Sequence, residues 1–397
     1  MAEHGTFNAP IKPRVYFDHN ATTPPSEIVR GQVLEWLGQW GNPSSIHWSG
    51  RGPKALLRDS RRSMAALLGC DPLEIVFTSG GSESNNLAIK GVFGKGVRDH
   101  YIMSSVEHPS VAKTMQQLKA HGARVDVVPV NRQGVLDLEK LESMLSERTA
   151  LVSVMFANNE TGHIMPVAKV AKLAHKAGAL VHCDGVQALG KAFVDVRNWQ
   201  VDLASFSGHK CYALKGCGVL YVRKGVQLES LVNGGGQERG RRAGTENLLA
   251  IASFGAMAEN MRDIGPRIEW MQELRDRMEQ RILARIPGVH VTGPDAPRVC
   301  NTSSLVIEGI DGETLLMNLD MRGFSVSTGA ACSSGSPEPS PVLLAMGLTR
   351  AEAQSSLRLS LGWGTTMDEV ESFVEVLAQV VARLRSFKHG EQAMLGI

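Results

Sequence analysis

The sequence predicts an α/β fold: a mainly parallel seven-stranded sheet with helices on both faces, joined to a smaller α+β domain. Three observations point there. Between residues 74 and 222, short apolar runs alternate with amphipathic stretches of helical length, the pattern of βαβ units feeding a parallel sheet. Beyond Asn247 the texture changes to a long charged helical stretch followed by mixed strand and helix signals. The length of 397 residues accommodates one large and one smaller unit at about 100–200 residues per domain. The expected division is 18–255 for the large domain, and 1–17 with 256–397 for the small one.

The seven strands are expected at 74–78, 101–104, 124–130, 150–157, 179–183, 202–206 and 218–222, each a short run dense in branched or aromatic residues. Helices are expected between them at 110–121, 138–146 and 167–177; Pro166 and Gly178 bracket the last as helix-end rules prefer. Two more, at 27–37 and 53–68, precede the sheet. In the second unit, helices are expected at 268–285 and 367–385.

Composition narrows the function. Forty-two Lys+Arg against 40 Asp+Glu leave a formal charge of +2, so nothing marks the chain for direct nucleic-acid or membrane binding. The longest weakly polar stretch, 248–258, is short of the roughly 20 residues that span a bilayer. With no secretory pattern at the N-terminus and six scattered cysteines, the expected location is the cytoplasm. Glycine is enriched, 41 of 397, against a usual share of about 7%. In an ordered chain that means tight turns or backbone close to a ligand.

Four segments hold candidate chemistry. Thr78-Ser-Gly-Gly81-Ser82 passes from strand to helix, where exposed N–H groups can hold an anion. Ser207-Gly-His209-Lys210 follows a strand end; Ser207 and His209 can hold a phosphate while the Lys210 amine condenses with a carbonyl. Asp184 leaves another strand end and can pair with a protonated heterocycle. Lys210 and Asp184 together describe a pyridoxal 5'-phosphate site. The fourth segment, Ser327-Thr-Gly-Ala-Ala-Cys332-Ser-Ser-Gly, has neither helical nor strand periodicity and reads as a loop with a thiol able to attack a substrate. The other five cysteines read as small buried hydrophobes. Gly185-Val-Gln-Ala-Leu-Gly190-Lys191 imitates a P-loop, but Ala192 stands where Ser or Thr must hold magnesium.

These motifs resemble the NifS/IscS cysteine desulfurases, within the class V aminotransferase group. The resemblance runs nearly end to end, through Tyr16-Phe-Asp-His-Asn-Ala-Thr-Thr-Pro24, Gly41-Asn-Pro-Ser-Ser45, Glu107-His108-Pro109, Ala157-Asn-Asn159-Glu-Thr-Gly162, Ser207-Gly-His-Lys210, the segment 234–247, the Cys332 loop and Ser356-Leu-Arg358. It implies fold type I of the pyridoxal-phosphate transferases. It implies that Lys210 bonds the cofactor, Asp184 faces the ring nitrogen, Gln187 the ring hydroxyl, and His108 stacks on the ring and assists proton transfer. Gly81, Ser82, Ser207 and His209 would hold the phosphate, joined by Thr245 from the other subunit of a homodimer. Asn159 and Arg358 would grip the substrate carboxylate, and no metal is expected. The implied reaction takes sulfur from L-cysteine, leaving L-alanine and a persulfide on Cys332 for an acceptor protein such as an iron–sulfur scaffold.

The chain departs from the family's usual wording at Ala213-Leu214-Lys215-Gly216, in the Cys332 loop, and at Leu361-Gly-Trp363-Gly, which leaves loop mobility and entrance shape open. A selenocysteine lyase or an ordinary class V transaminase would share Lys210 and Asp184, though a transaminase has no need of Cys332. A sulfur-carrier scaffold without turnover is the alternative of another class.

Overall fold

The computed structural model describes residues 14–93, 98–329 and 338–395, with side chains described as far as residue 387. Cys332 lies outside the described residues. The strands are β1 (Val15–Tyr16), β2 (Ile75–Thr78), β3 (His100–Ser104), β4 (Arg124–Val128), β5 (Thr149–Ser153), β6 (Leu180–Asp184), β7 (Leu203–Ser207), β8 (Gly218–Val222), β9 (Val289–Val291), β10 (Thr302–Ile307), β11 (Phe324–Ser325) and β12 (Ser356–Ser360).

Seven of them form one sheet in the order β2-β8-β7-β6-β5-β3-β4. Only β8 runs against its neighbours; the pairs from β7 to β4 are all parallel. Side chains alternate across the sheet. Ile75, Phe77, Ile102, Val152, Val181 and Phe206 enter one apolar core, whereas Val76, Tyr101, Met103, Leu151 and Leu203 enter the core on the other face. Burial on both faces explains why these strands read as continuous apolar runs.

The expected strand 150–157 ends early. After Ser153 the regular strand gives way to a bend, although the amides of Val154 and Phe156 still donate to the neighbouring β6, at the carbonyls of His182 (3.0 Å) and Asp184 (2.9 Å). That bend turns Met155 and Ala157 toward a cavity at the carboxyl ends of the strands. The helix expected from 53 begins five residues sooner, as Trp48–Leu68, so Pro53 lies inside it and gives no N–H to the Ser49 carbonyl one turn back.

A second sheet, β12-β10-β9, is antiparallel. Its period of two sorts its faces: Leu305, Ile307, Leu357 and Leu359 pack with Leu274, Met278, Phe373 and Leu377 of the helices Gly265–Arg285 and Met367–Leu395. The intervening Thr302, Ser304, Ser356, Arg358 and Ser360 occupy the opposite face. Arg358 is therefore directed by strand alternation, opposite Ser304 in the ladder. The two-stranded pair β1-β11 is parallel, and Phe17 just beyond β1 stacks edge-on against Phe373, with ring centroids 5.4 Å apart.

No described helix is long and apolar enough to cross a membrane.

Candidate active site

A cavity of about 180 Å³ opens at the carboxyl ends of β2, β3, β5, β6 and β7. Open α/β sheets bind ligands at this end of their strands, where the helices begin and the ladders stop. Gly81, Ser82, His108, Asn159, Asp184, Gln187, Ser207, His209 and Lys210 all line it. Arg358 lies beside it: one guanidinium nitrogen donates to the Asn159 carbonyl (3.3 Å), another to Asp18 Oδ1 (2.7 Å). Thr245 is exposed and lines a different part of the surface; its expected place was the other subunit's site.

The anion-holding end is built by close packing. The helix Gly81–Val92 starts with its free N–H groups at the cavity. A Cβ on Gly81 would fall 2.6 Å from Val186 Cγ2, so only glycine lets the backbone approach. Ser207 Oγ is buried and finds no hydrogen-bond partner among the described residues. A native hydroxyl left in that state is a group waiting for a ligand. Burial, with Lys210, Lys215 and Lys191 nearby, pushes His209 down to about 4, so it meets an anion as a neutral imidazole; its Nδ1 lies 3.1 Å from Thr22 Oγ1.

Asp184 and His108 are tied together. Asn85 Nδ2 donates to Asp184 Oδ2 (2.7 Å) and to Ser110 Oγ (2.9 Å), and the Val186 amide donates to Asp184 Oδ1 (3.0 Å). The Ser110 amide donates to His108 Nδ1 (3.1 Å), and Ser110 Oγ stands 2.7 Å from the same nitrogen. An Nδ1 that accepts leaves the proton of the neutral ring on Nε2. Burial holds His108 below its ordinary value against the opposing pull of Asp184, with Lys210 adding to the depression.

Lys210 sits in the turn after β7, its Nζ donating to the carbonyls of Asn20 and Ala21, both at 2.7 Å. Burial first and the Arg358 charge second push it down to about 8, against Asp18 and Asp184. The amine is thus much nearer to its nucleophilic form at neutral pH than a surface lysine. Two residues on, Tyr212 adopts φ +66°, a left-handed conformation costly for a bulky side chain. It is held there: its amide donates to Thr23 Oγ1 (2.6 Å), its hydroxyl accepts from the Trp363 amide (2.7 Å), and the two rings stack at 4.0 Å. Trp363, left open by the sequence, is therefore a brace for the lysine turn rather than part of the cavity lining.

The described cysteines are unsuited to attack. Burial pushes Cys70, Cys211 and Cys300 up to about 12, and Cys183 and Cys217 are raised too.

The class-V aminotransferase family profile matches residues 15–373. The chain belongs to the class-V aminotransferases. Among proteins of this family, it is 42% identical over 387 residues to a cysteine desulfurase of Nostoc sp., covering 96% of this chain and 97% of that one. It is 43% identical over 377 residues to a cysteine desulfurase of Cereibacter sphaeroides, covering 94% and 97%. A solved NifS-like protein superposes with a TM-score of 0.86 at 37% identity, covering 93% of this chain and 99% of that one.

Four residues of this class-V site escaped the sequence reading. Asn85 and Ser110 stood within quoted or adjoining motifs but carry no chemistry of their own; they orient Asp184 and His108. Asn20 and Lys191 meet near Lys210 from positions 171 residues apart, and only the fold brings them together. The Gly-Lys ending of the false P-loop was the one signal for Lys191.

Proposed function

We propose that the protein is a pyridoxal-phosphate-dependent cysteine desulfurase that converts L-cysteine to L-alanine and carries the sulfur as a persulfide on Cys332 for an acceptor protein. The observation behind this reading is the convergence of Lys210, Asp184, His108 and an anion cradle on one cavity, in a chain of the class-V family. The unpartnered Ser207 Oγ, the close approach at Gly81 and the helix N-terminus fit a phosphate. The buried Asp184 fits a protonated ring nitrogen, and Lys210 fits an aldehyde partner. When bound, the cofactor supplies the electron sink for a carbanion at the substrate α-carbon.

The chain's own residues do the rest. Arg358 and Asn159 bind and orient the substrate carboxylate at the cavity mouth, the guanidinium offering a planar fork to the two oxygens. Lys210 Nζ, released from the Asn20 and Ala21 carbonyls, moves the α-proton. His108, with Nδ1 held by Ser110, presents Nε2 for proton exchange. Cys332 Sγ, as thiolate, bonds to the substrate sulfur while the carbon–sulfur bond breaks; that electron pair stays on carbon and takes up a proton, giving alanine. Elimination supports Cys332, since burial holds the other five thiols protonated.

The protein is further proposed to work as a cytoplasmic homodimer. Large apolar side chains exposed at Leu34, Leu37, Trp40, Ile46 and Trp48 support a partner surface, and the free state of the five described cysteines supports a reducing compartment.

The test is Cys332→Ala with the cofactor retained. Alanine production from L-cysteine is expected to fall at least 100-fold while the visible absorption of the bound cofactor persists; alanine release at the unaltered rate overturns the reading.

A further inference from the structure

Lys191 ends the run that imitates a P-loop, and its place in the molecule is unusual for a lysine. The side chain is 5% exposed, yet among the described residues no carboxylate pairs with it. Its Nζ donates to Asn20 Oδ1 (2.9 Å) and to Gln187 Oε1, four residues back in the turns that follow β6. The charged and titratable groups facing it are Lys210 and Arg358, the thiols of Cys300 and Cys211, and the imidazoles of His19 and His209. A buried ammonium among cations is expensive unless something repays it. Burial and the Lys210 charge push Lys191 down to about 7, so an additional acceptor or anion nearby is what would keep it charged.

Gln187 shows what that acceptor is for. An ammonium has donors only, whereas a carboxamide has one accepting and one donating end. With Lys191 on Oε1, the amide is forced to turn its Nε2 the other way. One Nε2 hydrogen goes to the Asn20 carbonyl (3.1 Å), the same oxygen that accepts from Lys210 Nζ. The other is left for the cavity, which Gln187 lines and Lys191 does not.

Resting on the cofactor assignment above, we infer that Lys191 is a positioning residue: it locks the Gln187 carboxamide so that Nε2 offers a hydrogen bond to the ring oxygen of pyridoxal phosphate. The lock relays the lysine's positive charge toward that oxygen and favours its anionic form. The arrangement explains why a cation is kept inside the wall of the site and why its hydrogen bonds go to neutral amides: a carboxylate partner would cancel the charge.

The experiment is a double-mutant cycle read by the visible absorption of the cofactor-loaded protein as pH is varied. Removing a cation from the wall favours the protonated chromophore, so Lys191→Met is expected to raise the absorption midpoint by at least 0.5 pH unit. In a Gln187→Ala background the same substitution is expected to move it by less than half as much. An unchanged midpoint with only a lowered Tm makes Lys191 a structural lysine and overturns the inference. A full-sized shift in the Gln187→Ala background overturns it too, since the charge would then act without the amide. Lys191→Gln keeps a donor toward Gln187 without the charge and serves where Lys191→Met does not accumulate; its midpoint is expected to rise, and no rise overturns the inference. Absence of any cofactor absorption in the unsubstituted protein is a separate result, and sinks the cofactor reading itself.

Discussion

The two walls of the cavity are built on opposite principles. On the wall made by the seven-stranded sheet, polar groups sit at the ends of neighbouring strands and several are left with unused bonding capacity, as at Ser207 Oγ. On the wall facing the three-stranded sheet, Asn20 spends its side chain on the protein itself. Its Nδ2 donates to the Asn159 carbonyl (3.0 Å) and Thr302 Oγ1 (2.8 Å), while its Oδ1 accepts from Lys191 (2.9 Å) and Asn301 (3.2 Å). Its backbone amide donates to Ser360 Oγ (2.9 Å). One wall is arranged to recognise something, the other to hold two sheets in register. The difference teaches that a buried polar residue beside a site is not thereby a ligand-binding residue: the protein itself takes every side-chain bond of Asn20 and none of Ser207 Oγ.

The largest effect is expected from Asn20→Ala. It strips one acceptor from Lys191 and Asn301 and a donor from Thr302 in a buried network, and should cost about 3 kcal/mol in denaturant unfolding of the cofactor-free protein. A loss under 1 kcal/mol would break the contrast between the walls. Arg358→Lys comes next: the ammonium cannot reproduce the fork that spans Asp18 and Asn159. The KM for L-cysteine should rise on the order of 30-fold, with kcat changing less. Ser207→Ala removes a hydroxyl that the empty fold does not use. Unfolding of the cofactor-free protein should move by no more than about 0.5 kcal/mol, while cofactor affinity, read by equilibrium dialysis, falls about 10-fold.

The last test is a matter of pH. Burial, with Asp184 adding, pushes Glu107 up to about 8 despite hydrogen bonds from Ser104 and the Met155 amide. A carboxyl with a raised native value binds its proton more tightly folded than unfolded. Its contribution is therefore fully present below the ordinary value of 4.5 and lost as pH rises to about 8. Glu107→Gln should leave stability near pH 5 within about 0.5 kcal/mol, then gain on the unsubstituted cofactor-free protein up to pH 8 and run level beyond it. Equal pH slopes for the two proteins in urea titrations would show Glu107 ionised throughout.

How much of this was legible in the sequence follows from the same contrast. Asp184, Ser207 and Lys210 could be read because the strand that delivers each is local: an apolar run, and a polar group at its end or three residues past it. Periodicity also gave the parallel sheet, with errors at edges such as 154–157, where a bend ends the regular strand while its amides still reach β6. Lys191 and Asn20 could not be read as a unit. Nothing local distinguishes a buried lysine from a solvated one, and the partner that explains it lies 171 residues away. Trp363 was visible only as an oddity; its work is to hold Tyr212 in a backbone conformation that sequence alone does not announce.

The bonds of Asn20 also bear on how the chain is made. Residue 20 is synthesised long before Thr302 and Ser360, the residues it must meet. Synthesis runs at about 5–20 residues per second, so the nascent chain carries an unfinished cavity wall for about 8–30 s after β6 and β7 have been made. The part of the wall that Asn20 holds closes only once β10 and β12 have been made, however early the strands of the large sheet pair.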